Sequence, residues 1–278
     1  MEDSNKSTIS SVYGPVNSWR IGKSLGIDLL MDPSTCSFNC IYCQLGSIQN
    51  ITTERKIYVP TEKVLNDLMK FKWHEVDAIT FSGSGEPTLA LNLGEAIEKI
   101  KKLTDKKIIV LTNATLFNDQ SVRKDILLAD LISAKLDTTN DKELKMINRP
   151  AQEVNFENII KGIKNLKKEI NELKTKPLLQ IQIMFTSYNP ERIKDISTLL
   201  NEITPDEVAL NTPTRPYPSG WDITTRGAHG EDIKKIKFPL NLLKQLTEGE
   251  ALNIENQLRD LTGLKILSVY GNTKQLTL

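Results

Sequence analysis

The chain has 278 residues, a formal net charge of +1 at pH 7, and 39% hydrophobic and 26% charged residues. These values are typical of a globular protein large enough for one α/β domain, and no apolar stretch approaches the roughly 20 residues of a membrane-spanning helix. The balanced charge gives no argument for a nucleic-acid partner, and a polar N-terminus without the apolar core of a signal peptide predicts a cytoplasmic protein.

The N-terminal segment is predicted to be a disordered tail followed by a structured loop. Residues 1–10 are mostly polar, and disorder concentrates at chain termini. Ser11–Lys23 carries glycine and proline between aromatic and basic residues, which predicts a loop that leads into the first strand. Two interpretations of this loop stay open. Either its aromatic side chains pack it against the protein, or Arg20 and Lys23 face the functional site.

The apolar run Ser24–Met31 predicts the first strand of a parallel sheet. Pro33 cannot continue a central strand, and the three cysteines Cys36, Cys40 and Cys43 follow within eight residues. Ligands of parallel α/β sheets bind outside the carboxyl ends of the strands. The cysteine segment therefore lies where this architecture places its functional site.

Three interpretations of the cysteines are open from the residues alone. A disulfide framework needs pairs, and the count of three is odd. A structural zinc ion normally takes four Cys or His ligands, and the two histidines, His74 and His229, lie away from the cysteines in sequence. An iron–sulfur cluster normally takes four thiolates, so three leave one iron free for another ligand. We favour this third interpretation.

Five further apolar segments, separated by helical patterns, complete a predicted parallel sheet. These strands are Val76–Ser82, Lys106–Leu111, Leu131–Leu136, Pro177–Thr186 and Glu207–Leu210. Apolar residues at helical spacing predict the helices Thr61–Lys70, Asn92–Leu103, Asp119–Leu128, Asn155–Leu173 and Pro190–Asn201. The alternation of strands and helices predicts the α/β fold class.

Residues suited to ligand contact lie at or near the ends of these strands. Gly85 follows the second strand, where glycine lets the backbone approach a ligand closely. Lys135 and Asp137 share one face of the fourth strand by the period of two, either as ligand contacts or as a surface ion pair. Gln182 is a polar residue on a strand expected to be central, which favours a cavity on that face.

After Gly220 the pattern changes, and residues 236–278 are predicted to form a small α+β module behind a core of residues 11–235. The helices and strands predicted for the module, in chain order, are Phe238–Leu246, Glu250–Leu258, Leu264–Val269 and Lys274–Leu278. This order resembles a winged-helix-like module. Such a module either binds nucleic acid or packs as a structural cap.

The spacing Cys-x3-Cys-x2-Cys, with the aromatic Tyr42 directly before the last cysteine, resembles the signature of the radical S-adenosylmethionine enzymes. Other motifs in the same order extend the resemblance over roughly Ser11 to Pro218. They are Tyr13-Gly14-Pro15-Val16, Gly22 to Asp28, Cys36 to Gly46, Ser82 to Thr88, Asn148-Arg149-Pro150 and Asn211 to Pro216. The set is similar to an uncharacterised group of this superfamily that is related to the wyosine-base synthases of tRNA.

The resemblance implies a partial (β/α)6 barrel that is open on one side for a large substrate. It also implies a [4Fe-4S] cluster on Cys36, Cys40 and Cys43, and cleavage of S-adenosylmethionine to a 5′-deoxyadenosyl radical that abstracts hydrogen from the substrate. The implied contacts of S-adenosylmethionine are Tyr42, Ser84, Gly85, Glu86, Asn113, Lys135, Asp137, Arg149, Gln182 and Asn211. For Arg149 a solvated position on the surface stays the alternative.

The expected function is that of a radical enzyme that modifies RNA or protein, with electrons from a low-potential donor of the ferredoxin or flavodoxin type. The cysteine count differs from that of the relatives, and this difference narrows the expected function. Archaeal wyosine synthases use additional cysteines for a second cluster that handles pyruvate, and this chain has no cysteine outside Cys36, Cys40 and Cys43. We therefore expect it not to make the wyosine precursor. The alternative is a nucleic-acid-binding protein with a structural iron–sulfur or zinc site.

Overall fold

A computed structural model describes residues 9–186, 190–228 and 230–270 of the chain, so residues 1–8 of the predicted tail lie outside the described residues. The strands are β1 Val12–Ser18, β2 Gly22–Ile27, β3 Thr35–Cys36, β4 Asn50–Ile51, β5 Ala78–Phe81, β6 Lys107–Thr112, β7 Leu131–Lys135, β8 Leu178–Met184, β9 Glu207–Asn211, β10 Tyr217–Pro218, β11 Leu240–Asn241 and β12 Ile266–Ser268. The α-helices are α1 Thr61–Leu68, α2 Leu93–Leu103, α3 Gln120–Ile126, α4 Asp141–Ile147, α5 Phe156–Glu172, α6 Ile193–Ile203 and α7 Glu248–Thr262. Within the described ranges, no helix has the length and apolar character needed to cross a membrane.

Eight strands form one curled, open sheet in the order β1-β2-β5-β6-β7-β8-β9-β12. Every neighbouring pair is parallel except β1 and β2, which run antiparallel at one edge. The six predicted parallel strands are confirmed as β2 and β5 to β9, and the predicted partial α/β barrel is confirmed with them. Helices pack their apolar stripes against this sheet, around the fully buried rings of Phe81, Phe117 and Phe185.

The loop predicted over Ser11–Lys23 is wrong, because most of this segment is strand β1, paired with β2. Gly14 and Pro15 favoured a loop, since proline cannot donate a hydrogen bond to a sheet. At the edge of a sheet, the missing N–H of a proline can face solvent, so no neighbouring strand loses a hydrogen bond. The register also shifts between Tyr13 and Val16, and this irregularity accommodates both residues.

The first parallel strand is shorter than the predicted Ser24–Met31, since β2 ends at Ile27. The next residue, Asp28, causes the end. Its buried carboxylate accepts hydrogen bonds from the backbone N–H groups of Leu30 and Met31 at 3.0 and 2.9 Å. These bonds replace those of a continuing strand and turn the chain toward the cysteines.

The second carboxylate oxygen of Asp28 joins distant parts of the chain. It accepts hydrogen bonds from the hydroxyl of Ser84 at 2.5 Å and from the guanidinium of Arg226 at 2.9 Å. Arg226 is itself buried, lies 5.2 Å over the ring of Tyr13 and donates to the carbonyl oxygen of Ser10 at 3.3 Å. One buried ion pair thus holds together the ends of β2 and β5 and the C-terminal segment.

The start of the cysteine segment lies directly on the end of β5. The N–H of Thr35 donates to the carbonyl oxygen of Ser84 at 2.9 Å, and the N–H of Glu86 donates to the carbonyl oxygen of Thr35 at 3.1 Å. Gly85 lies between these two bonds. The backbones approach so closely there that only glycine, which has no Cβ, fits.

The helix predicted over Phe238–Leu246 is wrong. Pro239 has no N–H to donate and restricts Phe238 to an extended conformation. Its carbonyl oxygen instead accepts a hydrogen bond from the N–H of Ser219 at 2.9 Å. The short strand β11 follows and pairs with β10.

The winged-helix-like module is not confirmed. The helix predicted over Glu250–Leu258 lies within α7, but the strand predicted over Leu264–Val269 is β12, which pairs in parallel with β9 and extends the main sheet. Ile254 and Leu258 of α7 belong to the common core. The strand predicted over Lys274–Leu278 lies outside the described residues, and the predicted domain boundaries stay predictions.

Asp67 fastens the start of β1 to α1. Its carboxylate accepts hydrogen bonds from the N–H and hydroxyl of Ser11 at 2.9 and 3.0 Å, and from the ammonium groups of Lys63 and Lys70 at 2.7 and 2.8 Å. Burial alone would raise the pKa of Asp67, but these hydrogen bonds outweigh it and hold the pKa well below its usual range. The folded state therefore favours the ionised carboxylate.

Asp67→Asn is expected to lower the free energy of unfolding at pH 7 by about 2–3 kcal/mol, since hydrogen bonds to a charged group contribute roughly 1.5–3 kcal/mol. Because folding lowers the pKa of Asp67, its contribution is complete above about pH 4, the usual pKa of an unfolded aspartate, and is lost as the pH falls below that value. Urea titrations at several pH values measure the difference. Asp232→Asn, which removes an exposed partner of Lys235, is the control. An equal loss in both variants, or a difference that persists in acid, would contradict the expectation.

A Cβ atom at Gly85 would lie 1.6 Å from the carbonyl oxygen of Thr35, so Gly85→Ala must push the cysteine segment away from β5. Overpacking costs about 1–3 kcal/mol, and we expect at least the upper value because a backbone oxygen cannot rotate aside. Urea unfolding measures the loss. Gly249→Ala is the matched control, since nothing lies within 4 Å of its added Cβ and alanine favours the helix by up to about 1 kcal/mol. Wild-type stability in Gly85→Ala would refute the close approach.

Candidate active site

A cavity of about 600 Å³ lies at the carboxyl ends of the strands, and all three cysteines line it. The predicted contacts of S-adenosylmethionine that also line it are Tyr42, Gly85, Glu86, Asn113, Lys135, Gln182 and Asn211. Apart from Tyr42, they come from five neighbouring strands or the residues that follow them. The tertiary structure therefore brings together most of the predicted site residues around one space, and their roles as ligand contacts stay predictions.

Three predicted contacts do not line this cavity. Ser84 and Asp137 are buried and hydrogen-bonded to other protein groups. Arg149 is exposed, which is the alternative left open for it. The period of two placed Asp137 on the face of Lys135, but β7 ends at Lys135. Beyond that end the strand no longer sets the direction of a side chain.

The cysteine segment is fixed by backbone hydrogen bonds along its length. Strand β3 pairs with β4 at its start. The N–H of Cys43 donates to the carbonyl oxygen of Cys40 at 3.0 Å, and the N–H of Gly46 donates to the carbonyl oxygen of Cys43 at 2.9 Å. The N–H of Asn39 donates to the carbonyl oxygen of Asn148 at 2.9 Å, so the residues after α4 hold the segment from the other side.

Protein N–H groups point at the sulfur atoms of two cysteines. The backbone N–H of Phe38 lies 3.4 Å from Sγ of Cys36, and the side-chain amide of Asn113 lies 3.5 Å from the same sulfur. The side-chain amide of Asn148 lies 3.4 Å from Sγ of Cys40. Donors in these positions stabilise negative charge on sulfur, and they are among the groups that set the potential of a bound cluster.

Burial raises the pKa of all three thiols, that of Cys43 to about 12. The carboxylate of Glu86 raises the pKa of Cys36 further, whereas the ammonium of Lys135 lowers that of Cys40. Such thiols become thiolates when a metal supplies the compensating positive charge. All three cysteines are free rather than paired in a disulfide.

The donor set fits an iron–sulfur cluster. Among the described residues, no group of three or more His, Cys, Asp or Glu side chains is placed to hold a single metal ion. His74 is exposed and precedes β5, at the opposite edge of the sheet from the cysteines, and His229 lies outside the described residues. Three thiolates that bind different iron atoms need not meet at one point, so the thiols suit a cluster better than a zinc ion.

Asp137 holds the cysteine segment from the side of β7 and β8. Its carboxylate accepts hydrogen bonds from the hydroxyl of Tyr42, from the amide of Asn148 at 3.0 Å and from the N–H of Met184 at 2.7 Å. The ammonium of Lys135 lies 3.7 Å from the same carboxylate and 5.0 Å over the ring of Tyr42. Burial raises the pKa of Tyr42, and Asp137 raises it further. The hydroxyl therefore keeps the proton that it donates.

Glu86 joins the end of β5 to the end of β6. Its carboxylate accepts hydrogen bonds from the N–H and hydroxyl of Thr88 at 3.1 and 2.7 Å, from the hydroxyl of Thr112 at 2.7 Å and from the N–H of Asn113 at 2.6 Å. Burial raises the pKa of Glu86, while these bonds oppose the rise. Most of the acceptor capacity of Glu86 is therefore used within the protein, where it fixes the position of Asn113.

Sequence reasoning missed Asn148. Its side-chain amide contacts the sulfur of Cys40 and the carboxylate of Asp137, whereas the prediction from the same motif fell on its neighbour Arg149. Nothing in the sequence distinguished the uncharged amide of Asn148 from the neighbouring Arg149 as a site residue. The motif Asn148-Arg149-Pro150 was the signal that pointed to this part of the chain.

Two arginines also line the cavity, Arg20 and Arg215. Of the two basic residues left open in the N-terminal segment, Arg20 therefore faces the site, whereas Lys23 is not among the lining residues. Arg215 was not predicted, although it lies within the motif Asn211 to Pro216. Its guanidinium donates to the side-chain oxygen of Gln44 at 2.6 Å, next to the last cysteine.

Comparisons with known proteins agree with this geometry. A family model described as the radical SAM superfamily matches residues 33–200. The UPF0026 protein slr1464 of Synechocystis sp. (strain PCC 6803) is 49% identical over 222 residues, which are 80% of this chain and 82% of that protein.

Solved structures show the same fold. TYW1 with a lysine-pyruvate adduct bound superposes with a TM-score of 0.59 at 17% identity, over 90% of this chain and 76% of that one. Streptococcus suis SuiB bound to precursor peptide SuiA superposes with a TM-score of 0.58 at 15% identity, over 86% of this chain and 47% of that one. At these identities the two structures support the fold alone.

The family match includes all three cysteines and the ends of β5, β6, β7 and β8. The match thus covers the thiols and part of the cavity lining, whereas the lining residues from β1, β2 and the segment after β9 lie outside it. The resemblance inferred from the motifs is confirmed, and the chain belongs to the radical S-adenosylmethionine superfamily.

Proposed function

We propose that this protein is a radical enzyme that binds a [4Fe-4S] cluster through Cys36, Cys40 and Cys43 and uses S-adenosylmethionine to abstract hydrogen from a substrate. When bound, the cluster supplies the electron that cleaves S-adenosylmethionine to a 5′-deoxyadenosyl radical. The observation that carries the proposal is the opening of three half-buried cysteines into one cavity of about 600 Å³. Membership of the superfamily supports it.

Six lining residues that lie in or directly after the strands are the proposed contacts of S-adenosylmethionine, together with Tyr42. They are Gly85, Glu86, Asn113, Lys135, Gln182 and Asn211. Gly85 offers backbone groups to the amino and carboxylate end of the cosubstrate, and the charge of Lys135 suits its carboxylate. Since most of the Glu86 oxygens are already bonded to protein groups, its direct contact is limited to the remaining lone pairs.

The buried residues outside the cavity are proposed to act through their neighbours. Asp137 orients Tyr42 and Asn148, and Ser84 orients Asp28. For Arg149 we propose a role at the surface. Oriented side chains behind a ligand keep it in place, because they lock the rotamers of the residues that touch it.

The electron donor is proposed to be of the ferredoxin or flavodoxin type, and the protein is proposed to act in the cytoplasm. Residues 39–44 of the cysteine segment are only half-buried, which supports electron entry there. For the substrate we carry forward RNA or protein, because the sheet is open along one side. A nucleic-acid-binding role without catalysis loses its main support, since the winged-helix-like module is not confirmed.

The proposal predicts that protein reconstituted anaerobically with iron and sulfide, reduced with dithionite and given S-adenosylmethionine, forms 5′-deoxyadenosine. Cys40→Ala is expected to lose both the bound iron and the product, because two thiolates cannot hold the cluster. His74→Ala, which changes an exposed histidine, is the control and keeps both. No product from protein with a full cluster would contradict the proposal, as would one zinc and no sulfide in anaerobically purified protein.

Asn148→Ala removes the N–H donor that lies 3.4 Å from the sulfur of Cys40. Because hydrogen bonds to sulfur stabilise the reduced and more negative form of a cluster, the midpoint potential of the bound cluster is expected to become more negative. Redox titration followed by electron paramagnetic resonance measures this shift. Asn118→Ala, which removes an amide bonded to the carbonyl oxygen of Asn158, is the control. An unchanged potential in Asn148→Ala would show that this contact does not act on the cluster.

A further inference from the structure

Two arginines of the cavity come from opposite margins of the open sheet. Arg20 lies in the turn between β1 and β2, at one margin, and Arg215 lies in the segment after β9, near the other. The guanidinium of Arg20 reaches across to the side-chain oxygen of Gln182 on β8, at 2.9 Å. The two arginines therefore reach one cavity from different parts of the sheet.

Neither arginine has a carboxylate partner among the described residues. Their side chains donate to amide oxygens, Arg20 to Gln182 and Arg215 to Gln44. The arginines of the described chain that do form ion pairs with carboxylates are Arg55, Arg123, Arg192, Arg226 and Arg259. The Nε atom of Arg20 is buried and has no hydrogen-bond partner. A guanidinium carries five N–H donors, so most donors of this pair are unused by the protein.

The positive charge of Arg215 also disfavours the charged form of Arg20. Burial, with a smaller contribution from the charge of Arg215, lowers the pKa of Arg20 to about 10. Burial likewise lowers the pKa of Arg215. Both guanidinium groups still carry their charge at pH 7. A folded protein keeps two partly buried cations together at a cost, which an anion bound between them would offset.

The two positive charges of the arginines indicate which kind of anion would bind. One guanidinium can bind one carboxylate with two parallel hydrogen bonds, so a single carboxylate does not require a pair of arginines. A phosphate monoester carries about −1.5 to −2 charges at pH 7 and three terminal oxygens that accept hydrogen bonds. Two guanidinium groups match both its charge and its oxygens.

The residue next to Arg20 in sequence lies away from the thiols. This residue, Ile21, packs against Ala78, Ile109 and Leu131, which lie in the first half of β5, β6 and β7, away from the carboxyl ends where the cysteines lie. Arg215 is closer to the cysteines through Gln44. An anion bound by both arginines would lie within this cavity, beside Gln182.

We propose that Arg20 and Arg215 form the anion subsite of the cavity and bind the phosphate monoester of the substrate. The inference rests on the proposed function, since it assumes that this cavity takes the substrate. Of the substrate classes proposed, it favours a phosphorylated nucleotide or RNA end over an unmodified protein. A free small phosphoester and a phosphorylated RNA end share this chemistry, and the experiment distinguishes them.

The test measures binding of inorganic phosphate to the full-length reconstituted protein by anaerobic calorimetry. Arg20→Gln and Arg215→Gln are each expected to raise the Kd by about tenfold or more, because charge-assisted hydrogen bonds contribute roughly 1.5–3 kcal/mol and about 1.4 kcal/mol is tenfold. Arg192→Gln removes one exposed charge outside the cavity and is expected to bind as the wild type does. Equal effects in all three variants, or no effect of Arg20→Gln, would overturn the subsite.

Arg20→Lys guards against a loss that comes only from misfolding. It keeps the charge but not the planar fork, so its affinity for phosphate is expected between those of the wild type and Arg20→Gln. Acetate is expected to compete poorly with phosphate, and competition by acetate at equal concentration would assign a carboxylate instead. A parallel loss of affinity for S-adenosylmethionine in Arg20→Gln would assign the pair to the cosubstrate and overturn the proposal.

The source of the phosphate is read from paired probes. Adenosine 5′-monophosphate is compared with adenosine, and an RNA oligonucleotide with a 5′-phosphate is compared with the same oligonucleotide ending in a 5′-hydroxyl. Tighter binding of either phosphorylated member, dependent on Arg20, supports the proposal and names the source. Equal, Arg20-dependent binding of both RNA forms would assign phosphodiesters and overturn it. Phosphate binding is measured without radical chemistry, so its failure and a failure to form 5′-deoxyadenosine are separate results.

Discussion

The buried carboxylate of Asp28 is the constraint on which the site depends. A charge removed from water is stable only when its lone pairs are met, and here they are met by two backbone N–H groups, the hydroxyl of Ser84 and the guanidinium of Arg226. These partners belong to the turn before the cysteines, to the end of β5 and to the C-terminal segment. Their positions are coupled, because moving any one of them would leave a buried charge without a partner.

The cysteine segment that leaves this turn is held from its far side by a second buried carboxylate. Asp137 binds Tyr42 within the segment and Asn148 after α4, and Asn148 in turn contacts Cys40. The thiols are therefore placed by groups that do not themselves face the cavity. For the cluster that we propose, these supporting hydrogen bonds would fix the rotamers of the cysteine ligands.

The cavity is lined by two kinds of functional group, thiols and guanidinium groups. Its thiols lie at the carboxyl ends of the strands, where their raised pKa calls for a metal cation. Its two arginines reach it from the turn after β1 and from the segment after β9, without carboxylate partners among the described residues. The thiols thus suit a metal cofactor, and the arginines suit the anionic substrate group that we propose. A radical enzyme must hold its substrate near the cosubstrate without displacing it.

The sequence by itself determined the parallel strands, the helices between them and the three cysteines, because apolar periodicity and ligand spacing are local properties of the chain. It also placed most of the cavity-lining residues, since the carboxyl ends of parallel strands meet at one edge. Only the tertiary structure decided that Ser11–Lys23 forms an edge strand around Gly14 and Pro15, and that β12 joins the main sheet rather than a separate module. It alone brought Arg20 and Arg215 into one cavity. These features depend on pairing between residues far apart in the chain. A local sequence pattern does not specify which distant segment will pair with it.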